Sequence, residues 1–229
     1  MLQFTLFRFP VTIHWMFWAM AAILGGGLTA SRPVDFQLTL LFVVAAFISV
    51  LFHELGHAFF MRKYGGRPSI RLYGMGGLAC SSQWLSRRQD LIVSFAGPAF
   101  GLILWVFCYG LNETAMQYVA AHPDALQSMS KLWAFMFLFL RQMIYINLWW
   151  SLMNLLPILP LDGGHITDSL LSPKHTLVLK ISAATAGTVA IYFLAGNQMY
   201  RGAFFGLLAV RNFQRLQGNN AAPYWPGFD

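Results

Sequence analysis

Leu51-Phe52-His53-Glu54-Leu55-Gly56-His57-Ala58-Phe59-Phe60 closes an apolar run that begins near Phe36. On an α-helix, residues four apart share one face about 6 Å apart along the axis, so the imidazoles of His53 and His57 can converge on one metal ion. Glu54 stands beside the first histidine, where a carboxylate can accept a proton from water without filling a coordination position. From Phe36 to Phe52 the polar residues are Gln37, Thr39 and Ser49 alone. The motif therefore sits in a membrane-spanning helix, where ionisable side chains are costly and mark a functional site by default. The bland alternative is that the two histidines and the glutamate satisfy one another in a helix bundle.

Composition agrees with a bilayer setting. The chain has 229 residues, 57% of them hydrophobic and 10% charged, with mean hydropathy +0.56. A soluble domain of this size needs far less apolar surface. The net charge of +7 does not point to nucleic acid, because the basic residues are scattered between apolar segments rather than gathered on one face or in a tail. Cys80 and Cys108 are expected on opposite sides of the membrane, so no disulfide framework is expected. The N-terminal apolar run is read as a retained span and not a removed signal peptide.

Outward from the motif, the pattern predicts an all-α polytopic membrane protein of about six transmembrane helices, with a short membrane-associated β-hairpin between helices 2 and 3. The spans are expected at about 11–30, 36–61, 90–111, 135–156, 176–195 and 199–213, within one domain over 1–213 and ahead of a polar tail at 214–229. His14 beside Trp15 reads as an interfacial residue rather than a ligand. Between Arg67 and Cys80, Ile70 and Leu72 alternate with polar residues ahead of Gly74, Gly76 and Gly77, which suggests a hairpin and leaves a flexible loop as the alternative. In the third span, Gly97 and Pro98 read as scaffold for close helix packing. A polar segment with Glu113 and Asp124 is expected over 112–130. Arg141 lies thirteen residues before Asn154, about 20 Å along a helix, and is expected to snorkel to the opposite interface.

The second chemical stretch is Asn154-Leu-Leu-Pro157-Ile-Leu-Pro160-Leu-Asp162-Gly-Gly-His165. Two prolines followed by two glycines break the helix and free backbone amides at membrane depth, which is tolerated only where the backbone is buried in protein or lines a wet cavity. Asp162 is the natural third ligand, completing a His₂-carboxylate set that leaves one position for water. Capping of the following helix is its alternative role, and His165 competes with it as a lesser candidate.

Together, His53-Glu-Leu-Gly-His57, Asn154-x-x-Pro-x-x-Pro-x-Asp162-Gly and the Gly97-Pro98 span between them resemble the site-2 protease family of intramembrane zinc metalloproteases, peptidase family M50, over roughly residues 10–210. The resemblance implies one zinc ion held by His53, His57 and Asp162, with Glu54 as the acid-base residue and Asn154 supporting substrate or transition state. It implies cleavage of peptide bonds within or beside transmembrane segments of membrane-anchored proteins, in a compact form without an added PDZ or CBS domain. A transmembrane helix hides its carbonyls and must open before attack. Pairing with the hairpin edge would hold the opened segment, which makes Gly74, Gly76 and Gly77 candidate substrate-binding residues.

Two other readings use the same residues. A divalent metal-ion transporter would need polar residues continuing to the far side, and no acidic or histidine row does so. A non-catalytic membrane-binding relative is disfavoured by the presence of Glu54. The partners expected are therefore the lipid bilayer and a transmembrane protein substrate, with no nucleic acid. Basic residues gather at the ends of the spans nearest the metal motif, among them Arg62, Lys63, Arg67, Arg71, Arg87 and Arg88, which places those ends and both termini in the cytoplasm. In a bacterium the membrane would be the inner or plasma membrane.

Overall fold

The computed structural model describes residues 1–74, 76–82, 84–122 and 130–218. Asp124 and most of the polar tail lie outside them. The elements in chain order are β1 (Leu2–Leu6), β2 (Phe9–Ile13), α1 (Trp15–Leu24), α2 (Pro33–Lys63), β3 (Ser69–Tyr73), β4 (Gly76–Cys80), α3 (Arg87–Ala121), α4 (Ser130–Asn154), α5 (Asp162–Leu171), α6 (His175–Ala195) and α7 (Met199–Leu216). Four of the helices, α2, α3, α4 and α6, are long and apolar enough to cross a membrane. The fold is thus mainly helical and built for a bilayer, and among the described residues these four helices agree only roughly with the expected count of about six spans.

The differences lie at the two ends. The expected first span, 11–30, begins in strand β2 and continues as a ten-residue helix, about 15 Å long and half the hydrocarbon thickness. The expected sixth span is α7, 18 residues long, which carries Arg201, Arg211 and Arg215 and falls below the apolarity of the other four. Helix α3 runs on to Ala121, so the first part of the expected polar segment at 112–130 is helical.

Contacts divide the chain into two compact units. The first holds residues 1–84 and 96–151. Its sheet runs in the order β1-β2-β3-β4, antiparallel except for a parallel pairing of β2 with β3 that sets Val11 against Ile70 and Ile13 against Leu72. The expected hairpin at 67–80 is β3–β4, and an unexpected N-terminal hairpin, β1–β2, extends it. Phe9, Val11, Ile13, Ile70, Leu72 and Ala79 point to one face and pack on Val50, Leu51, Leu55 and Ala58 of α2. Each large apolar side chain buried there contributes about 1.5–3 kcal/mol, so the sheet is held against the stretch of α2 that bears the histidines. The β1–β2 turn has Phe7 at φ 49° and Arg8 at φ 66°, the positive angles a tight two-residue hairpin requires. Arg62 secures it, donating from Nη1 to the Phe7 carbonyl at 2.8 Å with its guanidinium 4.2 Å from the Phe9 ring centroid.

Helix α2 starts at Pro33, whose missing N–H costs nothing at a first helical position. The Asp35 carboxylate accepts from the Arg32 backbone N–H at 2.9 Å. Deeper in the unit α2 is tied to α4, where Asn147 Nδ2 donates to Ser49 Oγ at 2.9 Å and to the Met143 carbonyl at 2.8 Å. Ser49 is one turn before His53, so this buried clamp fixes the register of the motif. Arg141 is exposed.

The second unit holds residues 85–95 and 152–218 of the described residues. Its core is Ile158, Leu161, Ala186, Ala190, Phe205 and Leu208, from the proline turn, α6 and α7. The turn between α4 and α5 frees backbone groups, as expected, and two polar side chains satisfy them. Ser182 Oγ accepts from the Leu159 N–H at 3.1 Å, and Asn212 Nδ2 donates to the Leu159 carbonyl at 2.7 Å. Gly163 and Gly164 do not prolong the break but lie in the first turn of α5, where a Cβ on Gly164 would stand 2.6 Å from the Ile158 carbonyl oxygen. Only bare glycine lets the helix start fold so tightly onto the turn.

Candidate metal centre

His53 and His57 lie one turn apart on α2 with Glu54 beside the first, and the three are 2%, 7% and 4% exposed respectively. The two Nε2 atoms face each other at 3.2 Å. Two nitrogens each ~2.0–2.1 Å from one tetrahedral zinc stand about 3.3 Å apart. The imidazole pair thus already has the spacing that a shared ion demands.

Helix α3 leaves the space for that ion. A Cβ on Gly97 would lie 2.7 Å from His53 Nε2 and would collide with His57 Nε2, so hydrogen is the one substituent this position accepts. Gly56 makes the close approach possible, since its own Cβ would lie 2.6 Å from the Ala96 carbonyl oxygen. The residue assigned to scaffold from sequence therefore forms a wall of the site. A helical position gives no local sign of which side chain it faces, and Gly97 beside Pro98 reads equally well as packing.

The hairpin covers the carboxylate. A Cβ on Gly77 would stand 2.6 Å from Glu54 Oε1, so β4 passes directly over the acid. The other two glycines face elsewhere, Gly74 against Met16 and Met20 of α1 and Gly76, at φ 129°, against the Trp150 indole. Burial pushes the Tyr73 hydroxyl upward in pKa, and the charges of Glu54 and Cys80 act in the same sense. Burial also raises the Cys80 thiol; Arg71 opposes this and Glu54 adds to it. Cys80 and Cys108 are free thiols.

Asp162 and Asn154 belong to the second unit. Asp162 is the first residue of α5 and half-buried, placed by the turn that Ser182 and Asn212 hold. Asn154 is the last residue of α4 and is buried. His165 is exposed. His14 is the N-cap of α1, its Nδ1 accepting from the Met16 N–H at 3.3 Å, which gives it a structural role. His53 and His57 of the first unit offer imidazole donors and Asp162 of the second a carboxylate, donor types that suit zinc.

The model of peptidase family M50 matches residues 41–195. This chain belongs to peptidase family M50. The matched stretch contains both chemical motifs. The M50 chain is 25% identical to a zinc metalloprotease of Methanocaldococcus jannaschii over 210 residues, covering 90% of this chain and 54% of that protein. It is 30% identical to the Mycobacterium tuberculosis protein Rip3 over 80% of this chain and 45% of that one. It thus spans about half the length of these curated relatives. The Mycolicibacterium smegmatis protein Rip2 is 27% identical, with 85% of this chain and 84% of that protein aligned. Among solved structures, the site-2 protease from Methanocaldococcus jannaschii shares the fold, with a TM-score of 0.60 at 19% identity over 100% of this chain and 99% of that one.

Proposed function

We propose that this M50 protein is an intramembrane zinc endopeptidase that cleaves membrane-anchored proteins within or beside their transmembrane segments. The observation that carries the reading is the 3.2 Å approach of His53 Nε2 to His57 Nε2 in a pocket that Gly97 leaves open. His53, His57 and Asp162 would hold the zinc, one per chain. When bound, zinc supplies a Lewis acid that polarises a carbonyl and acidifies water.

Glu54 moves the proton. Its carboxylate takes one from the attacking water and returns it to the departing amine. Asn154 donates a hydrogen bond to the developing oxyanion, a contact commonly worth ~3 kcal/mol. β4 is an edge strand, and an opened substrate segment pairs along it as a fifth strand, with its main chain near the Gly76–Gly77 end. The lack of a side chain at Gly77 lets that backbone come close to Glu54. The basic ends of the spans and both termini face the cytoplasm.

The test combines metal analysis of the detergent-purified chain with cleavage of a single-span reporter. Glu54→Gln should keep about one zinc per chain and lose cleavage, whereas Asp162→Asn should lose both. Full cleavage by the Glu54→Gln protein would refute the assignment.

A further inference from the structure

A shallow, largely open depression of about 560 Å³ lies at the C-terminal end of α2, lined by Phe59, Phe60, Arg62, Lys63 and Phe100. Its floor is mainly aromatic, with two basic side chains beside it. Arg62 is turned toward the N-terminal hairpin, its guanidinium 5.2 Å from the Phe59 ring centroid as well as over Phe9, and one N–H is spent on the Phe7 carbonyl. Its other N–H groups, the Lys63 ammonium and the adjacent exposed Arg8 have no acidic partner among the described residues. The Lys63 ammonium stands 5.5 Å from the Phe60 ring.

The floor continues along α3. Phe100, Ile103 and Phe107 are spaced three and four apart and share one face, and Ile103 and Phe107 are 59% and 60% exposed. That stripe runs about 10 Å from the depression along a helix of membrane-crossing length. Basic residues in a last turn complement the helix dipole, but the dipole does not call for a phenylalanine-floored depression beside them. Unpaired cations at one end of an apolar track match a single ligand class with an anionic head and a hydrocarbon tail.

We propose that this depression binds one anionic phospholipid, with its phosphate held by Arg62 and Lys63 and an acyl chain laid along Phe100, Ile103 and Phe107. The lipid bridges the turn of the N-terminal hairpin and the end of the motif helix. Because Arg62 already holds that turn, the headgroup would reinforce the seat of the sheet on α2.

Native mass spectrometry of the full chain, released from micelles containing phosphatidylglycerol or phosphatidylcholine, tests this directly. Phosphatidylglycerol should be retained in preference. Lys63→Gln should lower its occupancy about five-fold, while Arg88→Gln, which removes an exposed charge outside the depression, should leave it within about two-fold. Equal retention of the two lipids, no loss in Lys63→Gln, or an equal loss in Arg88→Gln would each overturn the proposal, the last by reducing it to general surface charge.

Discussion

Gly77 of β4 lies directly over the carboxylate of Glu54 in α2, so close that a Cβ there would stand 2.6 Å from Oε1. The strand and the acid cannot both keep their places if that glycine gains a side chain. Gly77→Ala should therefore displace Glu54 while leaving His53 and His57 in position. Misplacement of a reacting group by about 1 Å commonly costs about 100-fold in rate. The expected outcome is cleavage reduced by that order with zinc content unchanged, measured by reporter cleavage and metal analysis on one preparation.

The opposite pattern is expected at Gly97. Its added methyl would press on both imidazoles and occupy the ion's own space, so Gly97→Ala should weaken the metal before it touches the acid. Loss of about 10–100-fold in zinc affinity is the scale for disturbing the groups that orient metal ligands. Competition with a chelator of known affinity measures it. Excess zinc should restore part of the cleavage, which it would not do for Gly77→Ala.

Local chemistry was legible in the sequence and long-range geometry was not. The spacing of His53 and His57 is a property of one helix, and the turn at 155–161 follows from Pro157 and Pro160 acting on their own backbone. The hairpin at 69–80 declared itself through alternation followed by glycine. In β2, Phe9, Val11 and Ile13 alternate in the same way and are each 1% exposed, yet they merge with the apolar helix that begins at Trp15, so average hydropathy reads one span. The β2–β3 pairing joins Val11 to Ile70, a contact between distant segments for which a single chain carries no local mark. Gly97 and Asn212 were hidden for the same reason, since each acts on a partner in another element.

Asn212 should matter well beyond its own helix. It is fully buried, and its Nδ2 holds the carbonyls of Leu159 at 2.7 Å and Leu208 at 2.8 Å. The first of these lies in the turn that delivers Asp162. Asn212→Ala strands a buried carbonyl, a change that costs about 1–3 kcal/mol. A lowered unfolding midpoint in detergent should accompany a fall in zinc affinity. Tyr200→Ala, an exposed change on the same helix, should affect neither.

Cys80 gives a pH-dependent report on Glu54 without any catalysis. The thiol is half-buried at the end of β4, and burial raises its pKa, with Arg71 pulling it down and Glu54 pushing it up. A raised pKa means less thiolate at a given pH, so alkylation of Cys80 should lag behind that of a free thiol near neutrality and rise at higher pH. Removing the positive neighbour with Arg71→Ala should move the profile further up. Removing the negative one with Glu54→Gln should move it down, toward the ordinary thiol value. Peptide mapping after iodoacetamide treatment separates Cys80 from the buried Cys108. If Glu54→Gln left the profile unmoved, the hairpin end would not share the field of the acid beneath it, and the close approach of β4 to the candidate centre would lose its electrostatic support.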